Sequence, residues 1–282
     1  MDSNWENLKD EATRASEIPM RLFITLQGNN GTNQKLTKVI YPADITDDTY
    51  RLTLPSKLKA ASYSIAIWAD CLLPESLDPA GYDISDPWLI KELRPRGEES
   101  DYRACLTGLR DFTLRNQQGE WDTSEEVEIS LSSPMGRIRL VADDYQEFLD
   151  QTEEARSKGE TYRVAVSYES DIPGGFSLPD GQAMDPVSGS GFTTPLPIIV
   201  VPGIEMCIAS DWLFNPPGRH THTVTVSVYN SALVMVSQTS GIPVPVERGK
   251  ITTVTGQILT NFITGGITLD NIWAGEITIE VD

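Results

Sequence analysis

The chain holds only two histidines, His220 and His222. Their i, i+2 spacing puts both imidazoles on one face of a strand, where such a pair can ligate a metal. The same face continues as Val224, Val226 and Val228, a core pattern, so a structural role at the mouth of a core strand is the stronger expectation. Gly189-Ser190-Gly191 lacks the Gly-x-Ser-x-Gly spacing of a nucleophile elbow and a strand to strain it, and reads as a flexible loop. Asp44, Asp47 and Asp48 crowd one acidic turn without the spacing of a calcium loop. Tyr82, Asp83, Asp86 and Trp88 mix carboxylates with aromatics, as sugar clefts do. Pro87-Trp88-Leu89-Ile90 also reads more simply as apolar anchors pinning a loop. From this group Tyr82 and Trp88 are the candidate ligand-binding side chains. The expectation is a protein that is not an enzyme and carries no catalytic residue, no metal ligand set and no cofactor.

Cysteine is scarce and odd in number, at Cys71, Cys105 and Cys207. That is neither a disulfide framework nor a CxxC metal pattern. Cys71 and Cys207 sit in apolar runs and read as buried thiols, with a Cys71–Cys105 bridge left open. The 41 Asp and Glu against 22 Lys and Arg give a net charge of −19. Such a surface repels phosphate backbones and excludes nucleic acid as a natural partner.

The elements that must position these residues are strands. Leu22, Ile24 and Leu26 share one face, as do Tyr50, Leu52 and Leu54, then Tyr63, Ile65 and Ile67. Val127–Leu131 and Arg137–Ala142 follow, with Ile138 and Leu140 turned inward. The pattern resumes over Thr161–Tyr168, Ile198–Val201, Ile204–Ala209, Thr221–Tyr229, Ala232–Ser237, Lys250–Leu259 and Glu276–Val281. Short runs closed by Gly, Pro, Asp or Ser predict all-β sandwiches. One helix is expected, capped by Asp143 or Asp144, with Tyr145, Phe148, Leu149 and Thr152 at helical spacing and Gly159 ending it. Gly136–Asp143 and Gly275–Asp282 share a Gly-x-Ile-x-apolar-x-x-Asp pattern and read as matching last strands of two domains. The expected organisation is a tether at 1–17, a sandwich at 18–143, a bridging helix at 144–159 and a second sandwich at 160–282. Residues 72–100 and 170–197 are expected to be long irregular loops, where function concentrates.

Three stretches together resemble a known group. They are Tyr63-Ser64-Ile65-Ala66-Ile67-Trp68-Ala69-Asp70, Tyr102–Gly108, and Ser133-Pro134-Met135-Gly136-Arg137-Ile138-Arg139 running into Asp144-Tyr145. In this order they are similar to the fimbrillin-like and fimbrial-anchor surface lipoproteins of Bacteroidales, and Arg248–Gly256 is similar to a strand of their C-terminal domain. The resemblance implies two tandem transthyretin-like (Greek-key) β-sandwiches, a cell-surface place in the outer membrane, and a fimbrial anchor, tip or subunit role. It implies anchoring through a lipid whose signal and lipobox cysteine are absent from this sequence, since Met1-Asp2-Ser3-Asn4 is polar from the start. It also implies assembly by strand addition, with other fimbrial subunits or surface proteins as partners. The exchanging segments would be Ile18–Leu26 (Ile18, Leu22, Ile24, Leu26) and Glu276–Asp282 (Ile277, Ile279, Val281). Arg14 and Arg21 are the candidate sites of an activating trypsin-like cut. The alternative is a surface lipoprotein that binds glycan or host protein through loops 72–100 and 170–197.

Overall fold

The computed structural model describes residues 18–54, 57–79, 81–93, 96, 103–115, 126–196, 206–261 and 275–281. The chain is almost entirely β and divides into two units. The first comprises Met1–Leu93, Tyr102–Pro134 and Phe176–Gln182; the second comprises Arg94–Asp101, Met135–Gly175 and Ala183–Asp282.

Period-two alternation builds the first unit. Strands β1 (Met20–Gly28), β2 (Asn33–Ile40), β3 (Ala61–Cys71) and β6 (Cys105–Leu114) form an antiparallel sheet ordered β2-β1-β3-β6. Leu22, Ile24 and Leu26 lie on one face and pack with Tyr63, Ile65 and Ala69. The other face carries Phe23, Ala66 and Trp68 together with the buried Arg21 and Thr25, so β1 is buried on both faces. The short strands β4 (Tyr82–Asp83) and β5 (Ile90–Glu92) pair as a hairpin. Tyr82 and Phe176 both stack against Trp68, at 5.2 and 5.8 Å between ring centroids.

Two expected strands of this unit are not strands. Tyr50, Leu52 and Leu54, with Ile129 and Leu131, pack half-buried on the Leu22 face, yet residues 50–54 and 126–131 join no ladder. The bond nearest to one is the Thr107–Ser132 bridge. Alternation reports which side chains are covered; it does not report where the backbone bonds. Gly108 admits this arrangement, because a Cβ there would stand 2.7 Å from the Ser130 carbonyl oxygen.

The second unit is a two-sheet sandwich. One sheet orders β12 (Met206–Phe214), β7 (Met135–Ala142), β15 (Lys250–Gly256) and β16 (Gly275–Val281). The other orders β11 (Gly191–Pro195), β8 (Tyr162–Tyr168), β13 (His220–Asn230) and β14 (Met235–Val246). Ile138, Leu140, Val164, Val166, Val224, Val226, Val228, Val244 and Val254 fill the space between them. Strands β9 (Ile172–Ser177) and β10 (Gln182–Val187) complete the count.

Several boundaries differ from expectation. The first sandwich does not run to residue 143, because β7 bonds to β12 and, in parallel, to β15. Strands β7 and β16 are therefore not matching last strands of two domains; both flank β15 in a single sheet. Helix α1 (Tyr145–Ser157) is not a bridge, since it buries Tyr145, Phe148 and Leu149 in the second core. Residues 170–197 are not an irregular loop: they hold β9, β10 and β11, whose turns use Gly181 and Gly189 at positive φ. Ile198–Val201 lies outside the described residues, as does the expected tether.

Asp144 occupies the N-cap position of α1 without a side-chain cap bond. Its Oδ2 instead accepts from the Leu259 and Thr260 amides and the Thr260 hydroxyl, at 2.8, 2.7 and 2.8 Å. One buried carboxylate at the helix start thus holds the chain leaving β15. Replacing Asp144 with Ala leaves two amides of that segment without an acceptor, and is expected to cost about 2–4 kcal/mol. Urea unfolding of parent and variant measures this; a shift under about 0.5 kcal/mol, the usual range for surface changes, would contradict the role.

Candidate functional site

The strand β1 slot and the β4–β5 hairpin concentrate the unusual chemistry of the first unit. β1 is an interior strand, with Leu22, Ile24 and Leu26 paired to Lys38, Leu36 and Gln34 on one side and to Ala69, Ile67 and Ile65 on the other. It is not a sheet edge, as an exchanging segment at rest would be. Ile18, just ahead of it, is half-buried. Arg14 lies outside the described residues.

Arg21 is not an exposed cleavage point. It sits inside β1 opposite Asp70, and its guanidinium grips that carboxylate with two bonds, Nε to Oδ1 at 2.9 Å and Nη2 to Oδ2 at 2.5 Å. The same Nη2 donates to the Tyr82 carbonyl at 2.8 Å. Burial pushes the Asp70 carboxyl up, and the Arg21 hydrogen bonds and charge pull against it. A second buried pair lies close by in sequence contact, Arg103 with Glu92 at 2.6 Å. A pair of this kind adds little net stability, but removing one partner strands a charge away from water.

Tyr82 is therefore not a ligand-binding surface residue. It is fully buried, edge-on to Trp68, with its hydroxyl donating to the Arg103 carbonyl at 2.6 Å. Trp88 differs: it is 49% exposed on the same hairpin. Its amide donates to Asp86 Oδ1, and Pro87 accepts from the Leu178 amide, so the indole stands on a backbone held from both sides. Asp83 likewise accepts from the Ser85 amide, which holds its carboxyl below the usual range.

The thiols are free, with Cys105 buried and Cys71 and Cys207 half-buried. The register sets Asp70 opposite Cys105, which sends Cys71 to the other face of the sheet and argues against a bridge. Burial, with the Asp70 charge behind it, pushes the Cys71 thiol up to about 12, so it is a poor nucleophile.

The second unit has its own buried charge. Asp211 Oδ2 meets Arg96 Nη1 at 3.0 Å and accepts from the Tyr168 hydroxyl at 2.9 Å, while its Oδ1 accepts the Trp212 amide. His222 is buried edge-on to the same Tyr168, with Nδ1 3.4 Å from Ser170 Oγ; His220 is exposed. Among the described residues no three metal-ligating side chains come together, the Asp44, Asp47 and Asp48 turn included. Among the described residues β16 is an edge strand paired only to β15, with Ile279 opposite Thr252 and Val281 opposite Lys250. Ile277 packs partly buried against the second core.

Sequence reading missed the Arg21–Asp70 and Arg96–Asp211 pairs. A signal existed: Asp70 and Asp211 each interrupt an apolar strand next to Trp68 or Trp212, and a lone acid there demands a cation.

Residues 2–282 match the family model DUF6562, a family of unknown function. The chain belongs to that family. No curated protein matches this DUF6562 member. Among solved structures it is similar to a candidate polysaccharide-binding protein of Bacteroides thetaiotaomicron, at 11% identity and TM-score 0.49, covering 91% of this chain and 92% of that one. It is also similar to a candidate adhesin of Bacteroides ovatus, at 13% identity and TM-score 0.47, covering 93% and 90%. A candidate adhesin of Bacteroides thetaiotaomicron gives 13% identity and TM-score 0.46, covering 92% and 87%. Likeness of this degree decides nothing about what the DUF6562 chain binds. No helix among the described residues is long and apolar enough to cross a membrane.

His222 supplies a pH test. Burial lowers its pKa, and the charges of His220 and Arg96 lower it further. As pH falls through about 6.5 the unfolded chain takes up a proton that the folded unit refuses, so stability is lost there and levels off below the folded pKa. The expected result is a Tm that drops between pH 7.5 and pH 5 more steeply in the parent than in His222→Phe. Equal slopes in calorimetric scans would remove His222 from the account.

Proposed function

We propose that this protein is a cell-surface structural and adhesive subunit that assembles by β-strand addition, without catalysis. The observation that carries the reading is the relation between its two terminal strands. Among the described residues β1 is the first strand, yet it fills an interior slot between β2 and β3. A terminal strand can leave such a slot without breaking the chain, exposing two open ladders and the pockets of Leu22, Ile24 and Leu26. β16, the last strand, is an edge and repeats that spacing with Ile277, Ile279 and Val281. An incoming β16 would also gain the half-buried Leu52, Leu54, Ile129 and Leu131 that cover the slot without bonding to it. The compartment follows from the same reading: a lipid anchor upstream of β1 holds the protein on the outer membrane, and other subunits or surface proteins are its partners.

The test removes residues 1–28 and mixes the product with the full chain, following assembly by light scattering. Complexes are expected with the parent and are expected to be lost with the double substitution Ile277→Asp and Ile279→Asp. Equal assembly by the substituted chain, or none by the parent, would overturn strand addition through these segments.

A second reading is favoured by Trp88, whose half-exposed indole stands on a pinned hairpin beside Asp83 and Asp86. Aromatic faces of this kind stack on the apolar side of a sugar ring, and carboxylates bond its hydroxyls. Here the expected outcome is glycan-array binding that falls at least about tenfold in Trp88→Ala, the loss of a stacked contact of about 1.4 kcal/mol. An array without hits would end this reading.

A further inference from the structure

The strand that assembly would remove is bonded to the hairpin that carries Trp88. Arg21 Nη2 is shared between Asp70 Oδ2 and the Tyr82 carbonyl, so one β1 side chain holds β3 and β4 together. Tyr82 has no freedom of its own, being fully buried between Trp68 and the Arg103 carbonyl. From Tyr82 the hairpin runs through β4 and β5, and the Leu93 amide returns to the Gly81 carbonyl at 2.8 Å. The Arg103–Glu92 pair holds that same end, since Glu92 stands opposite Tyr82 in the register. These links are buried contacts and bonds, and one of them belongs to β1.

We infer that Arg21 is a latch that makes the seating of the Trp88 hairpin conditional on strand β1. While β1 occupies its slot, the guanidinium satisfies Asp70 and clamps the Tyr82 carbonyl, and the hairpin is fixed. When β1 leaves, Asp70 keeps a buried charge without its cation and the carbonyl loses its donor, a state relieved by letting water and the hairpin move. An incoming strand from another copy restores the ladder but brings Glu280 or Thr278, not arginine, among the polar positions of β16. The assembled protein would therefore present Trp88 on a looser hairpin than the free subunit. The trigger rests on the strand-addition reading, whereas the latch is a property of the single chain and is tested there.

The test is hydrogen exchange on the full chain, comparing peptides over 82–92 with peptides over β13. In Arg21→Met the 82–92 amides are expected to exchange about tenfold faster or more, with β13 unchanged. The double variant Arg21→Met, Asp70→Leu replaces the ion pair by apolar groups, so the first sheet is retained while the Tyr82 carbonyl still lacks its donor. Faster exchange over 82–92 is expected there too. Parent-like protection of 82–92 in the double variant would overturn the latch. So would loss of protection across the whole first unit in both variants, since Arg21 would then serve the fold and not the hairpin. Strand addition is scored separately by the light scattering of the shortened chain, and either result can fail alone.

Discussion

A carboxylate withdrawn from water must meet a cation or surrender its charge, and each unit of this chain contains such a carboxylate. Asp70 in β3 and Asp211 in β12 are both fully shielded, and each is answered by one arginine from a different part of the sequence. Neither pair is a large source of stability. Their effect is to specify: Asp70 demands β1 in one register, because a shift of one residue would turn Arg21 to the opposite face. Asp211 gathers Arg96 and Tyr168 in the same manner. Apolar faces alone would tolerate several strand alignments, and these pairs select one.

Strand identity was legible where burial was one-sided or complete. β13 shows this best, since Val224, Val226 and Val228 are all fully buried as their alternation required. The same signal misled at 50–54, where Tyr50, Leu52 and Leu54 alternate, cover an apolar face and bond to no neighbour. It was silent at β10, which is exposed along most of its length and contains Pro186 in a run framed by glycines. Helix α1 was legible in both extent and face, but its place was not: periodicity shows which side is buried and says nothing of which core receives it.

The candidate site was legible in part for a related reason. Trp88 could be singled out because a tryptophan among acids and prolines is unusual in a loop. Tyr82, six residues before Trp88, was drawn to the surface by the same company and proved to be core. Composition cannot separate them, because the hairpin turns one aromatic inward and leaves the other out. The polar logic of the site lay in pairs far apart in sequence, Arg21 with Asp70 and Arg103 with Glu92, and distance along the chain hides such pairs.

The division of the chain into interleaved segments has a consequence for how it is made. The first unit includes Phe176–Gln182, so its Trp68 cluster waits for residues synthesised well after β7 and α1 of the second. The second unit in turn needs β16, since β15 stands between β7 and the last strand of the chain. The first unit cannot close before residue 182 has been made, by which time β7 and α1 of the second are already present, and high contact order makes both slow to close. A polypeptide built this way stays unfolded longer than tandem domains of the same length. That exposes the chain meanwhile to proteases and to its own open strand edges.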